Sequence, residues 1–228
     1  IQLEVPPPPV VAQIGEQPIW FIDALQLQPE EYVIVRPHLG EELPAFDRVC
    51  GAILSGSWAM VTDHADWSER TAAWIRAALE ADLPLLGVCY GHQLMAYALG
   101  GKVGDNPHGW ERGLKTLTRN SSRDPWLAPL PEAFQAWLSH RQSVLTPPPH
   151  AEVLARSDLD GCQILRYSPQ ALSVQFHPEF TRDIMTACLP AGIDDEGAEV
   201  TGEDWSRELL RRFWQQTRPQ PRVQAQGA

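Results

Sequence analysis

Leu83-Pro84-Leu85-Leu86-Gly87-Val88-Cys89-Tyr90-Gly91-His92-Gln93 decides how this chain is read. The apolar run up to Val88 passes without a linker into Gly91 to Leu99, where Leu94, Met95, Ala98 and Leu99 mark one helical face. A strand that turns straight into a helix, with glycines two positions either side of a central cysteine, has the form of a nucleophile elbow. Such a turn holds its central residue in a strained conformation, and side chains at 87 and 91 would collide as strand and helix approach. The helix N-terminus favours thiolate over thiol at Cys89, and the Tyr90 N–H that follows is placed as an oxyanion-hole donor. A cysteine in an apolar run is ordinarily structural. The paired glycines favour the nucleophile here.

Working outward, Val49 to Ser55 reads as a strand ending in Ser55-Gly56-Ser57, and Trp67 to Ala81 as a helix with apolar residues at helical spacing. Upstream, Val10 to Ile14 and Tyr32 to Arg36 are expected to be strands, with a helix within Gly15 to Leu27. Strands alternating with helices imply an α/β fold with parallel strands and covering helices. The middle then changes character: Arg112–Thr118, Phe134–Ser139, Val153–Arg156, Cys162–Tyr167 and Ala171–Phe176 are strand candidates, expected as hairpins added to the same sheet. Helices are predicted at Asp183–Leu189 and Trp205–Gln216. Residues 1–216 are expected to form one domain, and the Pro/Gln-rich stretch Thr217–Ala228 a tail without order.

Acyl-transfer chemistry on a thiolate needs a base that takes a proton and returns it to the leaving amine, and a group that fixes the imidazole tautomer. Val174-Gln175-Phe176-His177-Pro178-Glu179-Phe180 offers both. His177 ends an apolar strand, and Pro178 turns the chain so that Glu179 can reach back to the ring. His92 is expected to pack or hydrogen-bond on the elbow helix, while His38, His64, His108 and His150 fall in loops. A metal site built from His92, His140 and His177 is disfavoured because no His-x-x-x-His spacing occurs.

The net charge of −11 and the lack of a basic run argue against a nucleic-acid partner. Four scattered cysteines, Cys50, Cys89, Cys162 and Cys188, fit a reducing cytoplasm better than a disulfide scaffold. No uncharged apolar stretch reaches membrane-spanning length, so no membrane association is expected. The start at Ile1 rather than Met points to a trimmed or partly recorded N-terminus.

Gly87-Val88-Cys89-Tyr90-Gly91-His92-Gln93 together with His177-Pro178-Glu179 resembles the class-I glutamine amidotransferases, over about Val10 to Phe180, and most closely the stand-alone members labelled GMP-synthase-like. The resemblance implies a flavodoxin-like, doubly wound, mostly parallel sheet with helices on both faces, and a Cys89-His177-Glu179 triad that hydrolyses L-glutamine to glutamate and ammonia through a γ-glutamyl thioester. No cofactor and no metal are implied. Leu54-Ser55-Gly56-Ser57-Trp58 stands where the family commonly shows Ser-Gly-Gly-Pro, which places Gly56 and Ser57 beside Tyr90 in the oxyanion hole. Ser57 would be strained there if positive φ were required. Gln93 and the segment Ser139-His140-Arg141-Gln142 are expected to bind the substrate, although an ordinary strand end accounts for that segment equally well.

Nothing after Phe180 is long enough to be an ammonia acceptor, so a synthetase on a separate polypeptide is the expected partner. A γ-glutamyl hydrolase or peptidase is the alternative, because water resolves the same thioester whichever amine has left. A binding or regulatory homologue with weak turnover is a third, favoured by Ser57-Trp58 and opposed by the intact triad.

Overall fold

The apolar run before Cys89 becomes strand β2 (Leu85–Val88), and all four of its residues are buried. Leu85 packs into one apolar core and Leu86 and Val88 into another, because successive side chains of a strand point to opposite faces. This computed structural model describes residues 1–120, 123–194 and 197–218. Before β2 come helices α1 (Pro8–Ile14) and α2 (Gln17–Leu25), strand β1 (Ala52–Leu54) and helix α3 (Asp66–Glu80). After it come α4 (Tyr90–Ala98), β3 (Lys102–Asp105), β4 (Glu111–Arg119), β5 (Ala133–His140), β6 (Gln142–Thr146), β7 (Glu152–Arg156), β8 (Ile164–Ser168) and β9 (Ala171–Val174). Helices α5 (Arg182–Cys188) and α6 (Trp205–Thr217) close the described chain.

Seven strands form one sheet in the order β1-β2-β9-β8-β7-β4-β5. Its neighbours β1, β2 and β9 run parallel, while β9-β8, β8-β7, β7-β4 and β4-β5 are antiparallel pairs. Residues of α3 and α4, including Ala72, Ile75, Leu94 and Met95, cover one face with Leu54 and Leu85. Phe21 and Ala24 of α2 and Leu209, Leu210 and Phe213 of α6 cover the other with Leu86 and Val88. Helices thus lie on both faces, and hairpins extend the parallel strands, as the sequence predicts.

Three segments differ from expectation. Val10–Ile14 is not a strand but most of α1, which has Pro8 in its first turn and Gly15 at its C-terminus with φ 74°. A five-residue apolar run does not distinguish a strand from a short buried helix, and Pro at the helix start presets φ for the helix. Val10 buries against Ile184 and Met185 of α5. Tyr32–Arg36 is not a ladder strand: its backbone bond to the N-terminal segment is Gln2 N–H to Val35 O at 2.9 Å, Arg36 O accepts from the turn residues Leu39 and Glu41, and Val33 is 65% exposed. Finally, β3 and β6 pair as a separate antiparallel ribbon that the sequence does not announce, since Lys102-Val103-Gly104-Asp105 is short, polar and contains glycine.

Helix α6 runs to Thr217, and Arg218 pairs with Glu31 at 2.7 Å. The rest of the expected tail, residues 219–228, lies outside the described residues. No helix among the described residues is long and apolar enough to cross a membrane.

Candidate active site

Cys89 sits between β2 and α4 with φ 52° and ψ −102°, a positive-φ conformation that costs a residue with a Cβ on the order of 1–3 kcal/mol. The surrounding backbone holds it there. Cys89 N–H bonds to Val174 O at 2.9 Å, and Cys89 O accepts from Gln93 N–H at 3.0 Å. A Cβ on Gly87 would stand 2.5 Å from Gly91 O, and one on Gly91 would stand 2.5 Å from Leu54 O. The two glycines are therefore required by the close approach of α4 to β1 and β2, in line with the collision argument from sequence. Tyr90 opens α4, so its amide is among those in the first helical turn that find no partner within the helix.

Strand β9 delivers the histidine. After Val174 the chain carries Gln175 and Phe176 inward, and His177 N–H bonds to Trp137 O of β5 at 2.8 Å. His177 Nδ1 lies 2.5 Å from Glu179 Oε1, both side chains being almost wholly buried. Burial alone would depress the imidazole. The charges of Glu179 and of a Cys89 thiolate, with hydrogen bonds to both, overcome it and hold His177 up at about 10. The ring also stacks on Phe180, with centroids 3.9 Å apart and planes 14° from parallel. One brace on this turn carries no sequence signature: Arg207 of α6 donates to Pro178 O at 3.0 Å, Glu179 O at 3.3 Å and Phe180 O at 3.0 Å.

The loop after β1 approaches from the other side. A Cβ on Gly56 would lie 3.0 Å from His177 Cε1 and 3.6 Å from Cys89 Cβ, so glycine is demanded at 56 by proximity to both groups. Ser57 is not among the residues with positive φ, and a side chain there brings no left-handed strain. The N-terminal segment pins this loop, with Leu3 N–H donating to Ser55 Oγ at 2.9 Å and Gln17 Nε2 to Gly56 O at 3.3 Å.

Cys89, Tyr90, Gly56, Ser57, His177, Glu179, Gln93 and Ser139 to Gln142 all line one pocket of about 180 Å³. It is smaller than sites for drug-sized ligands, which run to roughly 300–1,000 Å³, and Trp20, Trp58, Trp110 and Phe180 line it beside the polar groups. Its predicted substrate-binding residues differ in what they present. Gln93 Nε2 is engaged by Gln142 O at 2.7 Å and Gln175 Oε1 at 3.0 Å. Ser139 O lies 3.8 Å from Cys89 Sγ. Arg141 is exposed, with its guanidinium 4.3 Å from the centroid of the Trp110 ring, over which Arg112 also lies at 4.5 Å. The His140 ring faces away into a buried network, Nδ1 to Gln142 O and Nε2 to Glu111 Oε1, each at 2.8 Å.

That network includes Asp160, whose carboxyl burial pushes above the usual range, and brings three metal-ligand side chains within 4.8 Å of one another. Protein donors already engage its Glu111 carboxylate, Gln163 Nε2 at 2.9 Å and Ser157 Oγ at 2.6 Å, so it is built as a hydrogen-bonded support under residues 139–142. His92 is fully buried, bonded to Ser173 Oγ at 2.6 Å, and held neutral by a burial shift down to about 3.

A cysteine at a strand-to-helix elbow, with an imidazole–carboxylate pair beside it on an α/β sheet, is the arrangement that cysteine-dependent acyl transfer requires. The sequence profile described as glutamine amidotransferase class-I matches residues 30–189, and the chain belongs to that family. A glutamine-hydrolyzing GMP synthase of Aeropyrum pernix is 38% identical over 141 residues, covering 62% of this chain but 26% of that protein. One of the subunits of the glutamine-hydrolyzing GMP synthase of Methanocaldococcus jannaschii is 36% identical over 61% of this chain and 69% of its own length. Gamma-glutamyl peptidase 5 of Arabidopsis thaliana is 28% identical over 61% of this chain and 57% of its own. A solved glutamine amido transferase from Methylobacillus flagellatus superposes with a TM-score of 0.72 at 20% identity, covering 91% of this chain and 92% of that one, so the fold is the flavodoxin-like one of these enzymes.

Proposed function

We propose that the protein hydrolyses the side-chain amide of L-glutamine through a γ-glutamyl thioester on Cys89. The observation that carries this reading is the chain of contacts from Cys89, at a strained elbow, to His177 and from His177 to Glu179 at 2.5 Å. In the reading, the Cys89 sulfur attacks the carboxamide carbon and the new oxyanion accepts hydrogen bonds from the Tyr90 and Ser57 amides, with Gly56 letting the loop close on the site. His177 gives its proton to the amide nitrogen, the C–N bond breaks and ammonia leaves. Water then attacks the thioester carbon and loses a proton to His177, and the C–S bond breaks to give glutamate and the free thiolate. Glu179 fixes the ring and offsets its positive charge.

Substrate binding in this scheme falls to Gln93, to the main chain of Ser139, His140 and Arg141, and to the Arg141 guanidinium as a partner for the α-carboxylate. Ammonia passes to a synthetase on a separate polypeptide. This is supported by the Methanocaldococcus jannaschii relative, which is named as one of the subunits of its synthase. The test is ammonia release from glutamine by the purified protein and by Cys89→Ala. We expect release, weak without a partner, that is abolished in the variant; equal release by both proteins defeats the proposal.

A further inference from the structure

The proton that His177 donates goes to the leaving nitrogen, so whatever is attached to that nitrogen must lie on the His177 side of Cys89. A series of touching aromatic rings leads away from His177. His177 stacks on Phe180, Phe180 meets Trp20 edge-on at 5.8 Å, and Trp20 meets Trp58 edge-on at 6.4 Å. Phe180 and Trp20 are buried, and Trp20 is fixed by its indole N–H, which donates to Ile14 O at 2.8 Å. Trp58 is different: it lines the same pocket yet is 38% exposed, next to the Ser57 amide. Ammonia alone needs no such wall. Core packing accounts for Phe180 and Trp20, which belong to a cluster with Val10, Ile184 and Met185, but leaves the half-open Trp58 without a role.

We propose a further activity at this centre: hydrolysis of γ-glutamyl amides whose amine carries an aromatic side chain, with Trp58 and Trp20 as the residues that hold that side chain. The inference rests on the thioester reading above. The chemistry balances in the same way. The Cys89 sulfur–carbon bond forms, the C–N bond breaks, the His177 proton leaves on the nitrogen of the departing amine, and water resolves the thioester to glutamate. Edge-to-face contacts of the kind already present between Trp20 and Trp58 are what such a ring would add to. The α-amino and carboxylate groups of the γ-glutamyl half would meet Ser139 O, 3.8 Å from the sulfur, and Arg141, which lines the same pocket.

Three substrates decide it: L-glutamine, γ-L-glutamyl-L-alanine and γ-L-glutamyl-L-phenylalanine, the dipeptides having leaving amines of nearly equal basicity. We expect kcat/KM for the phenylalanine dipeptide to exceed that for the alanine dipeptide by about tenfold or more, the scale of one apolar group filling a pocket. Trp58→Ala should bring that ratio to roughly one to two, and Trp58→Phe should retain most of it. Equal kcat/KM for the two dipeptides, a ratio untouched by Trp58→Ala, or cleavage of glutamine alone would each overturn the inference while leaving the thioester reading intact. Failure of all three substrates to be cleaved faster than by Cys89→Ala would overturn both.

Discussion

Replacing Glu179 by Gln removes one charge and almost no volume, which makes it the cleanest probe of the site. The carboxylate is 2.5 Å from His177 Nδ1 and nearly inaccessible to water, and a glutamine carbonyl can still accept the Nδ1–H bond. What it cannot do is oppose the imidazolium charge. Loss of an opposite charge at this range lowers an ionised partner's pKa by about 1–3 units, or on the order of 1.4–4 kcal/mol. From about 10, His177 would fall to roughly 7–9. With a fall of about two units, the protonated fraction at pH 9 drops from about nine-tenths to about one-tenth. Acylation needs that proton, so the alkaline limb of the kcat/KM profile for glutamine should move toward neutral pH, with a roughly tenfold loss at pH 9 beyond any loss that pH does not affect.

Stability should carry the same signature. The folded value of His177 is raised above its ordinary 6.5, so its contribution is complete below 6.5 and is lost as pH rises through about 10. The Tm advantage of the natural protein over Glu179→Gln should therefore shrink across that window. Coincident alkaline limbs in the two proteins, together with a Tm offset that does not change with pH, would refute the electrostatic account.

The remaining expectations are quicker to state. A diazo-ketone analogue of glutamine should label Cys89 ahead of Cys162 and Cys188, whose thiols burial pushes up to about 11 and about 12, and ahead of the exposed Cys50; even labelling, read by peptide mass spectrometry, would count against an activated elbow. Gly56→Ala puts a methyl 3.0 Å from His177 Cε1 and should cost about tenfold or more in kcat, on the order of the loss from a small misplacement of a catalytic group, while Tm moves little; unchanged kcat would show that the ring gives way freely. Arg207→Ala frees three carbonyls of the 178–180 turn and should lower both kcat and Tm, by about 1–3 kcal/mol in stability, and a Tm equal to that of the natural protein would remove Arg207 from its bracing role.

Two parts of the molecule are legible to different degrees. The centre is readable because its demands are local: an elbow needs Gly87 and Gly91 at fixed offsets, and His177, Pro178 and Glu179 are adjacent. The supports are not local. Arg207 reaches the His177 turn from 28 residues away, and Glu111 meets His140 across 29 residues of β4 and β5, so neither leaves a motif. The fold divides similarly. Long or strongly apolar elements such as β2 and α3 show their period, whereas the five apolar-run residues Val10–Ile14 are too few to show one and their helix is marked by Pro8 and Gly15 at its ends and by packing on α5. Ser57-Trp58 reads in the sequence as a departure from Ser-Gly-Gly-Pro that would strain the oxyanion hole only if Ser57 required positive φ. With no positive φ at Ser57, the sequence change falls instead on the rim, at Trp58.

The placement of Cys89 at the start of α4 depends on a strained backbone, and strain persists only where the surroundings leave no alternative. Here those surroundings are the fold's own centre. Gly87 belongs to β2, Gly91 to α4, and the carbonyl that Cys89 N–H donates to is in β9, so the elbow cannot relax without parting the parallel strands. Behind it, Gln93 ties α4 to Gln175 and to the main chain of Gln142, and Gln175 Nε2 returns to within 3.6 Å of the Cys89 sulfur. That layer of buried amides joins the nucleophile, the strand leading to His177 and the start of β6 in one hydrogen-bonded unit. A side chain beside it, such as Trp58 at the open rim, can therefore be changed to test which amine the pocket receives without altering how the sulfur is held.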